Sequence, residues 1–215
     1  MGSDERIAAP ATLQTVADFD GTLISANSFP LWVRFVAVRS LTTARFGLFV
    51  AIVSSVLRRK ILGSTRHDEF KGELDGLPYP DGWAADFVDG LRPLLRADVL
   101  ERIAKLADGP VLIATAAPFC YARAVPDILP LPVCGVVCSQ RDGGNYIDNT
   151  GATKCERIVA GLSSAGRRHD DFIFFTDHED DLPTANAALK TYLCHPSASA
   201  VRAFEPLGAR VEVLG

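Results

Sequence analysis

Two carboxylates two residues apart, in Asp18-Phe19-Asp20-Gly21-Thr22, close a strand-like run that begins at Thr15. Side chains at that spacing on a strand project to the same side. Both acids can therefore face one small volume at the strand's carboxyl end, and Gly21 lets the backbone turn sharply beside a ligand. One carboxylate as nucleophile and the other as general acid and base is equipment for metal-assisted phosphoryl transfer. The same residues also suit a plain acidic strand-to-turn junction, where Asp and Gly are ordinary.

Four further residues extend the pattern. Thr115 follows the apolar run Val111-Leu112-Ile113-Ala114 and opens a turn; its hydroxyl and nearby backbone N–H groups can hold phosphate oxygens, or cap a helix. Lys154 falls in the first turn of an expected helix, where the helix dipole disfavours a cation. A buried anion opposite would explain it, whereas an exposed surface lysine is the ordinary alternative. Asp177 and Asp181 follow Phe172-Ile173-Phe174-Phe175 and offer hard oxygen ligands of the kind Mg²⁺ takes. With Glu179 and Asp180 in the same run, they also fit a solvated acidic loop.

The elements that must position these groups alternate. Strand-like runs fall at 15–19, 110–114, 133–138, 172–175, 190–194 and 210–213, with helix-like segments at 118–128, 152–162, 182–189 and 198–204. Such alternation predicts an α/β fold, a doubly wound, mostly parallel sheet, in which ligands bind beyond the carboxyl ends of the strands. Between the first two strands lies a long stretch with few strand signals. It reads as helices at 29–41, 43–60, 67–74, 82–95 and 97–106, punctuated by Gly63-Ser64, Gly76, Pro78 and Pro80. The expected organisation is a core of residues 1–23 and 107–215, with a helical cap of residues 24–106 over the strand ends.

The 215 residues are 48% hydrophobic, enough for one core domain and an insertion. Asp4, Glu5 and Arg6 occupy the place where a signal peptide needs an apolar run, so the first dozen residues read as a loose lead-in. The five cysteines are odd in number and lack close metal-type pairing. Cys134 and Cys138 read as buried small apolar residues, and a reducing cytoplasm suits the set. The net charge of −4 conceals an asymmetry: residues 21–67 contain seven Arg and Lys and no acid, leaving −11 for the rest. A basic segment in an acidic chain points to an anionic partner, although no nucleic-acid-reading motif accompanies it.

Taken in order, Asp18-Phe19-Asp20-Gly21-Thr22, Thr115, Lys154 and Thr176-Asp177-His178-Glu179-Asp180-Asp181-Leu182-Pro183 resemble the four motifs of the haloacid dehalogenase superfamily. The insertion resembles the cap of its phosphoserine-phosphatase-like branch. The resemblance implies a Mg²⁺-dependent phosphomonoester hydrolase. Asp18 would be the nucleophile that becomes an aspartyl-phosphate, and Asp20 the group that protonates the leaving group and then activates water. Thr115 and Lys154 would bind phosphate. Asp18, the Asp20 backbone carbonyl and Asp177 would ligate Mg²⁺, with Asp181 as ligand or as support. The fourth motif departs from the usual Gly-Asp-Ser or Ser-Asp-Ser, because Thr176 and His178 flank Asp177; His178 is expected to face solvent.

Phosphoserine phosphatases carry a Glu shortly after the first motif, whereas this chain has Ser25, Ala26 and Asn27. An ammonium-bearing substrate loses its partner. Phe46–Leu57 is a run of twelve uncharged residues between Arg45 and Arg58-Arg59-Lys60. As a helix of about 18 Å it is too short for the ~30 Å hydrocarbon core. It suits either an interfacial helix on anionic headgroups or buried cap core. This basic run, with Cys138-Ser139-Gln140-Arg141 before Gly143-Gly144, resembles the phosphatidylglycerophosphatase C-like branch. The expected substrate is a small or lipid-linked phosphomonoester, met in the cytoplasm or at the inner face of its membrane. A catalytically silent relative that binds phosphorylated ligands is the non-enzymatic alternative.

Overall fold

Alternate residues of the apolar run Phe172–Phe175 face opposite sides of a sheet: Phe172 and Phe174 join one hydrophobic cluster, Ile173 and Phe175 the other. That period of two, with both faces apolar, is the signature of a strand covered by helices on both sides. In the computed structural model, which describes residues 13–62 and 66–215 (side chains of 60–62 excepted), it is strand β5 (Phe172–Thr176) of a seven-stranded sheet. The expected lead-in and the Gly63-Ser64 break lie outside the described residues.

The other strands are β1 (Gln14–Ala17), β2 (Val111–Pro118), β3 (Val133–Asp142), β4 (Asn145–Ile147), β6 (Lys190–Cys194) and β7 (Val211–Leu214). Their order is β4-β3-β2-β1-β5-β6-β7, parallel except for β3–β4. β1 is central, with β2 and β5 on either side. The Asp18 N–H donates to the Phe175 carbonyl at 2.9 Å. The first acidic motif is thereby tied to the strand that carries the last.

The helices between β1 and β2 are α1 (Ser28–Thr42), α2 (Phe46–Leu62), α3 (His67–Asp75), α4 (Trp83–Asp89) and α5 (Ala97–Leu106). The Asn27 side chain caps α1 by accepting from the Phe29 N–H, which satisfies one of the free donors at a helix start. Trp32, fully buried on α1, packs against Tyr79, Phe87 and Tyr121 with ring centroids 4.9–5.1 Å apart. Tyr121 belongs to the short helix α6 (Phe119–Ala122) after β2, so this aromatic cluster fastens the inserted helices to the sheet. The chain leaves for the insertion and returns side by side, through an antiparallel bridge between Ile24 and Leu95. α5 then lies along the far strands, where Arg102 pairs with Glu212 on β7 and Asp98 with His195 beyond β6. The remaining helices, α7 (Gly151–Ser164), α8 (Leu182–Ala187) and α9 (Ala198–Phe204), follow β4, β5 and β6.

The structure departs from the sequence expectations at four places. The helix expected at 118–128 is α6 plus a 3₁₀ turn at Val125–Ile128, because Pro126 cannot continue the α-helical hydrogen bonding. The helix expected at 82–95 ends at Gly90 and gives way to a 3₁₀ turn holding Pro93. Strand β4 was not foreseen. It forms a hairpin with β3 across Gly143 and Gly144, whose φ angles of 54° and 94° are the left-handed values such turns need. Cys134 is exposed, not buried. The β2–β3 pairing jumps from Val133 to Gly135 opposite Val111 and Leu112, so Cys134 is the extra residue of a bulge and loses its place in the alternation.

Candidate active site

The strand ends of β1, β2 and β5 meet at a cleft of about 600 Å³ whose walls include Asp18, Asp20, Lys154, Asp177, Asp181 and Lys71. Burial and covalent spacing explain how each arrives. Asp18 is the first residue beyond β1 and is buried. Asp20 sits beyond Phe19, whose side chain is driven into the core. Asp177 and Asp181 leave the end of β5 on a 3₁₀ turn, Glu179–Asp181. Lys154 comes from the first turn of α7 and is only 3% exposed.

Lys154 finds the buried anions that its unfavourable position on the helix dipole demands. Its Nζ donates to Asp18 Oδ1 at 3.2 Å and to Asp181 Oδ2 at 2.9 Å, and lies 2.7 Å from Asp181 Oδ1. Thr176 Oγ1 adds a hydrogen bond to Asp181 at 2.7 Å. Both Asp181 oxygens are thus engaged, and Asp181 orients the lysine.

Asp20 is held by α1. The Ser28 N–H and hydroxyl donate to its two oxygens at 2.8 and 3.0 Å, and the same hydroxyl lies 2.8 Å from the Tyr121 hydroxyl. Asp177 is held by Thr22 Oγ1 at 3.0 Å. Gly21 makes that approach possible. It has φ +76°, and a Cβ there would lie 2.1 Å from Asp177 Oδ2. Any side chain at this position would overlap the carboxylate.

The electrostatics follow from crowding four carboxylates, two of them buried, near Lys154, with Lys71 also acting on Asp20. Burial pushes Asp18 up to about 8, helped by Asp181, Asp177 and Asp20 and resisted by Lys154. Burial also raises Asp20, to about 6, against the hydrogen bonds from Ser28, and raises Asp177 against the bond from Thr22. The cluster holds more negative charge than Lys154 compensates.

Thr115 stands differently. It is fully buried, its hydroxyl accepts from the Ala117 N–H at 3.0 Å, and the cleft is lined by its neighbour Ala116. His178 caps the 3₁₀ turn through Nδ1, which accepts from the Asp180 N–H at 3.2 Å; its ring is about half exposed at the cleft's rim.

Several contributors were missed by the sequence reading. Ser28 grips Asp20 and is itself backed by the Tyr121 hydroxyl, and Thr22 grips Asp177. Lys71 of α3, buried, bridges Asp148 at 2.8 Å and the Ala116 carbonyl at 3.0 Å, joining the inserted helices to the strand ends. Ser139 donates to the same Asp148 oxygen. Arg96 donates to the Gly21 carbonyl at 3.1 Å and lines the cleft, as does His67. A hydroxyl at Thr22 beside the first motif was legible; the arrival of Lys71 and Tyr121 was not. Among the described residues, no three His, Cys, Asp or Glu side chains form a ready metal cage.

Comparison with known proteins bears on the family and the fold. Residues 15–186 match the model of the haloacid dehalogenase-like hydrolase family. No curated protein sequence matches significantly. Among solved structures, a protein of unknown function from Bordetella pertussis Tohama I superposes with a TM-score of 0.74 at 19% identity, over 94% of this chain and 97% of that one. A substrate-bound phosphoserine phosphatase superposes with a TM-score of 0.58 at 12% identity, over 91% of both chains. A probable phosphoserine phosphatase from Vibrio cholerae gives 0.59 at 12% identity, over 88% of this chain and 58% of that one. These likenesses are likenesses of fold. With a family match that spans most of the chain and all four acidic and basic motifs, the protein belongs to the haloacid dehalogenase-like hydrolases.

Proposed function

We propose that this protein is a Mg²⁺-dependent phosphomonoesterase that works through an aspartyl-phosphate on Asp18. The observation that carries this reading is the buried contact of Lys154 with Asp18 at 3.2 Å, in a cleft that Asp20 and Asp177 share. Asp18 Oδ attacks phosphorus, and the bond from phosphorus to the ester oxygen breaks. Asp20, in its acid form, gives its proton to the departing alkoxide. As a carboxylate it then takes a proton from the water that attacks the phosphoenzyme, which releases phosphate and restores Asp18. Lys154 screens Asp18 and the phosphoryl oxygens, and Asp181 and Thr176 hold Lys154 in line.

The surplus negative charge of Asp18, Asp20 and Asp177 suits a divalent cation. Asp18, Asp177 and the Asp20 backbone carbonyl would hold it, a set that needs no cage of three side chains. When bound, Mg²⁺ neutralises charge on the transferring phosphoryl group. Thr115 enters this reading through the Ala116–Ala117 backbone that its hydroxyl steadies. The helices between Ile24 and Leu95 form the cap. α5, placed in the cap on sequence grounds, is better grouped with the core, because its ion pairs are with the β6–β7 side of the sheet.

The leaving group is neutral or anionic in this reading. Ser25, Ala26 and Asn27 line the cleft where an amine-binding acid would be needed, and Lys71 and Arg96 bring cationic groups to it. A lipid-linked ester is a second reading. Phe46 and Val50 of α2 are 61% and 63% exposed beside a basic segment, and no helix among the described residues is long and apolar enough to cross a membrane.

The test is Mg²⁺-dependent phosphate release from a panel of phosphomonoesters, with Asp18→Asn beside the native chain. Turnover in the native protein and none in the variant is expected. Binding of Mg²⁺ and phosphate without turnover of any ester would leave the silent phospho-ligand binder in its place.

A further inference from the structure

A second cavity, of about 500 Å³, runs between α1, α2 and α3. Its wall is almost wholly apolar: Val33 and Ala37 from α1, Ile52, Val53 and Val56 from α2, and Phe70 from α3. A groove of this size and character is typical of a small-molecule site, and core residues Ile52 and Phe70 form part of its floor. Three residues, Phe29, Pro30 and His67, line both this groove and the catalytic cleft. The two spaces are therefore neighbours, divided by buried Phe29 and adjoining at the surface along exposed Pro30 and His67. Helix α1 belongs to both: Ser28 at its start grips Asp20, and Ala37 lies about 13 Å further along the axis.

We propose that this groove seats the apolar tail of the substrate, so that the phosphomonoester hydrolysed in the cleft is one with an alkyl chain. The inference rests on the phosphomonoesterase reading and names the substrate class of that site. A phosphate joined to an alkyl tail is the ligand whose two ends match the two chambers. The polar cleft offers Lys154, Lys71 and Arg96 to the charged end. The groove offers aliphatic side chains to the other. Arg34 and Arg59 border the groove, with the Arg59 guanidinium 5.1 Å from the Phe70 ring centre. They add positive charge along the route of an anion without breaking the apolar wall. A docked protein segment would explain an apolar groove, but not its place against the catalytic cleft, with which it shares Phe29, Pro30 and His67.

The experiment measures kcat/KM for ethyl, butyl, octyl and dodecyl phosphate with Mg²⁺, all below the concentration at which the longer esters form micelles. Each methylene that enters the groove is expected to raise kcat/KM about two- to fourfold, so octyl phosphate should exceed butyl phosphate by at least about tenfold. Ala37→Trp, which fills the groove, should reduce the octyl-to-ethyl ratio to near that of a chain too short to reach it. Alkylphosphonates as competitive inhibitors of the native enzyme give the same series without reliance on a folded variant, and should tighten with chain length. Equal kcat/KM across the series, or equal inhibition, overturns the inference while leaving the phosphatase reading intact. A preference that appears only in a parallel series above the micelle-forming concentration also overturns it, because the protein is then responding to a surface. Turnover of none of the esters removes the phosphatase reading, and the tail site with it.

Discussion

Replacing Gly21 with alanine tests how the site is assembled, because the structure separates its two consequences. Gly21 has φ +76°, so alanine there incurs the left-handed penalty of about 1–2 kcal/mol. Its Cβ would also lie 2.1 Å from Asp177 Oδ2 and 2.5 Å from Cγ, so the carboxylate must swing away and lose its hydrogen bond from Thr22 at 3.0 Å. A hydrogen bond to a charged group contributes about 1.5–3 kcal/mol, offset in part because Asp177 would leave a cluster of like charges. The net loss should be roughly 2–3 kcal/mol, or a fall of about 4–12 °C in Tm for a chain of this size. Gly82→Ala provides the control: φ is +84° and nothing lies within 4 Å of the added methyl. It should lose about 1–2 kcal/mol and keep full activity. Gly21→Ala should lose about a hundredfold in kcat/KM, the scale of a 1 Å misplacement of a reacting group, and need more Mg²⁺ for half-maximal rate. Phosphate release against Mg²⁺ concentration, beside thermal denaturation of both variants, reads all of this. If Gly21→Ala matches Gly82→Ala in rate and Mg²⁺ requirement, Asp177 is not placed by the absence of a side chain at residue 21, and its role in metal binding falls too.

Three other outcomes follow from the same geometry. Asp18→Asn should remove turnover entirely while the fold persists, since Lys154 keeps Asp181; Asp20→Asn should lose about 10²–10⁴-fold through general acid–base catalysis, with fast-leaving aryl esters affected least, and a uniform loss across esters would contradict the assignment. In metal-free protein, Asp20 near 6 and Asp18 near 8 lie above the ordinary 3.8, so the folded state holds protons that the unfolded chain has already released. Stability is then greatest near pH 4 and lost as pH rises through about 6 and on toward 8, with a slope of about 1.4 kcal/mol per pH unit for each proton so held, before the site relaxes. Denaturant titrations with and without Mg²⁺ should show the slope and its removal by the metal, and a rise of stability with pH would refute the charge balance. Lys71→Met should destabilise the fold by about 3 kcal/mol by leaving Asp148 unpaired in a site where Lys71 is buried, and Asp148→Asn in the same chain should recover much of it; additive losses would mean the pair does not fasten the inserted helices to the sheet.

Local pattern sufficed for much of this protein. The continuous apolar runs Phe172–Phe175 and Val111–Ala114 read as strands of a mostly parallel sheet, because a strand covered on both faces must be apolar at every position. The spacing of Asp18 and Asp20, and the misfit of Lys154 with its helix dipole, were already chemical statements, since each depends only on backbone geometry over a few residues. Tertiary structure decided what depends on distant partners. Tyr121 reaches Ser28 across 93 positions and Lys71 reaches Asp148 across 77, and no local pattern encodes such contacts. The bulge that exposes Cys134 arises from pairing with β2, and the burial of Thr115 behind Ala116 from how the strand exits the sheet. The apolar run Phe46–Leu57 was compatible with buried core and with an exposed face, and the fold uses both, with Ile52 inside and Val50 outside. Sequence determined which groups could do chemistry and on which strand ends they would sit; only the packing of the inserted helices decided which side chains hold them there, because those contacts exist only once the chain has closed.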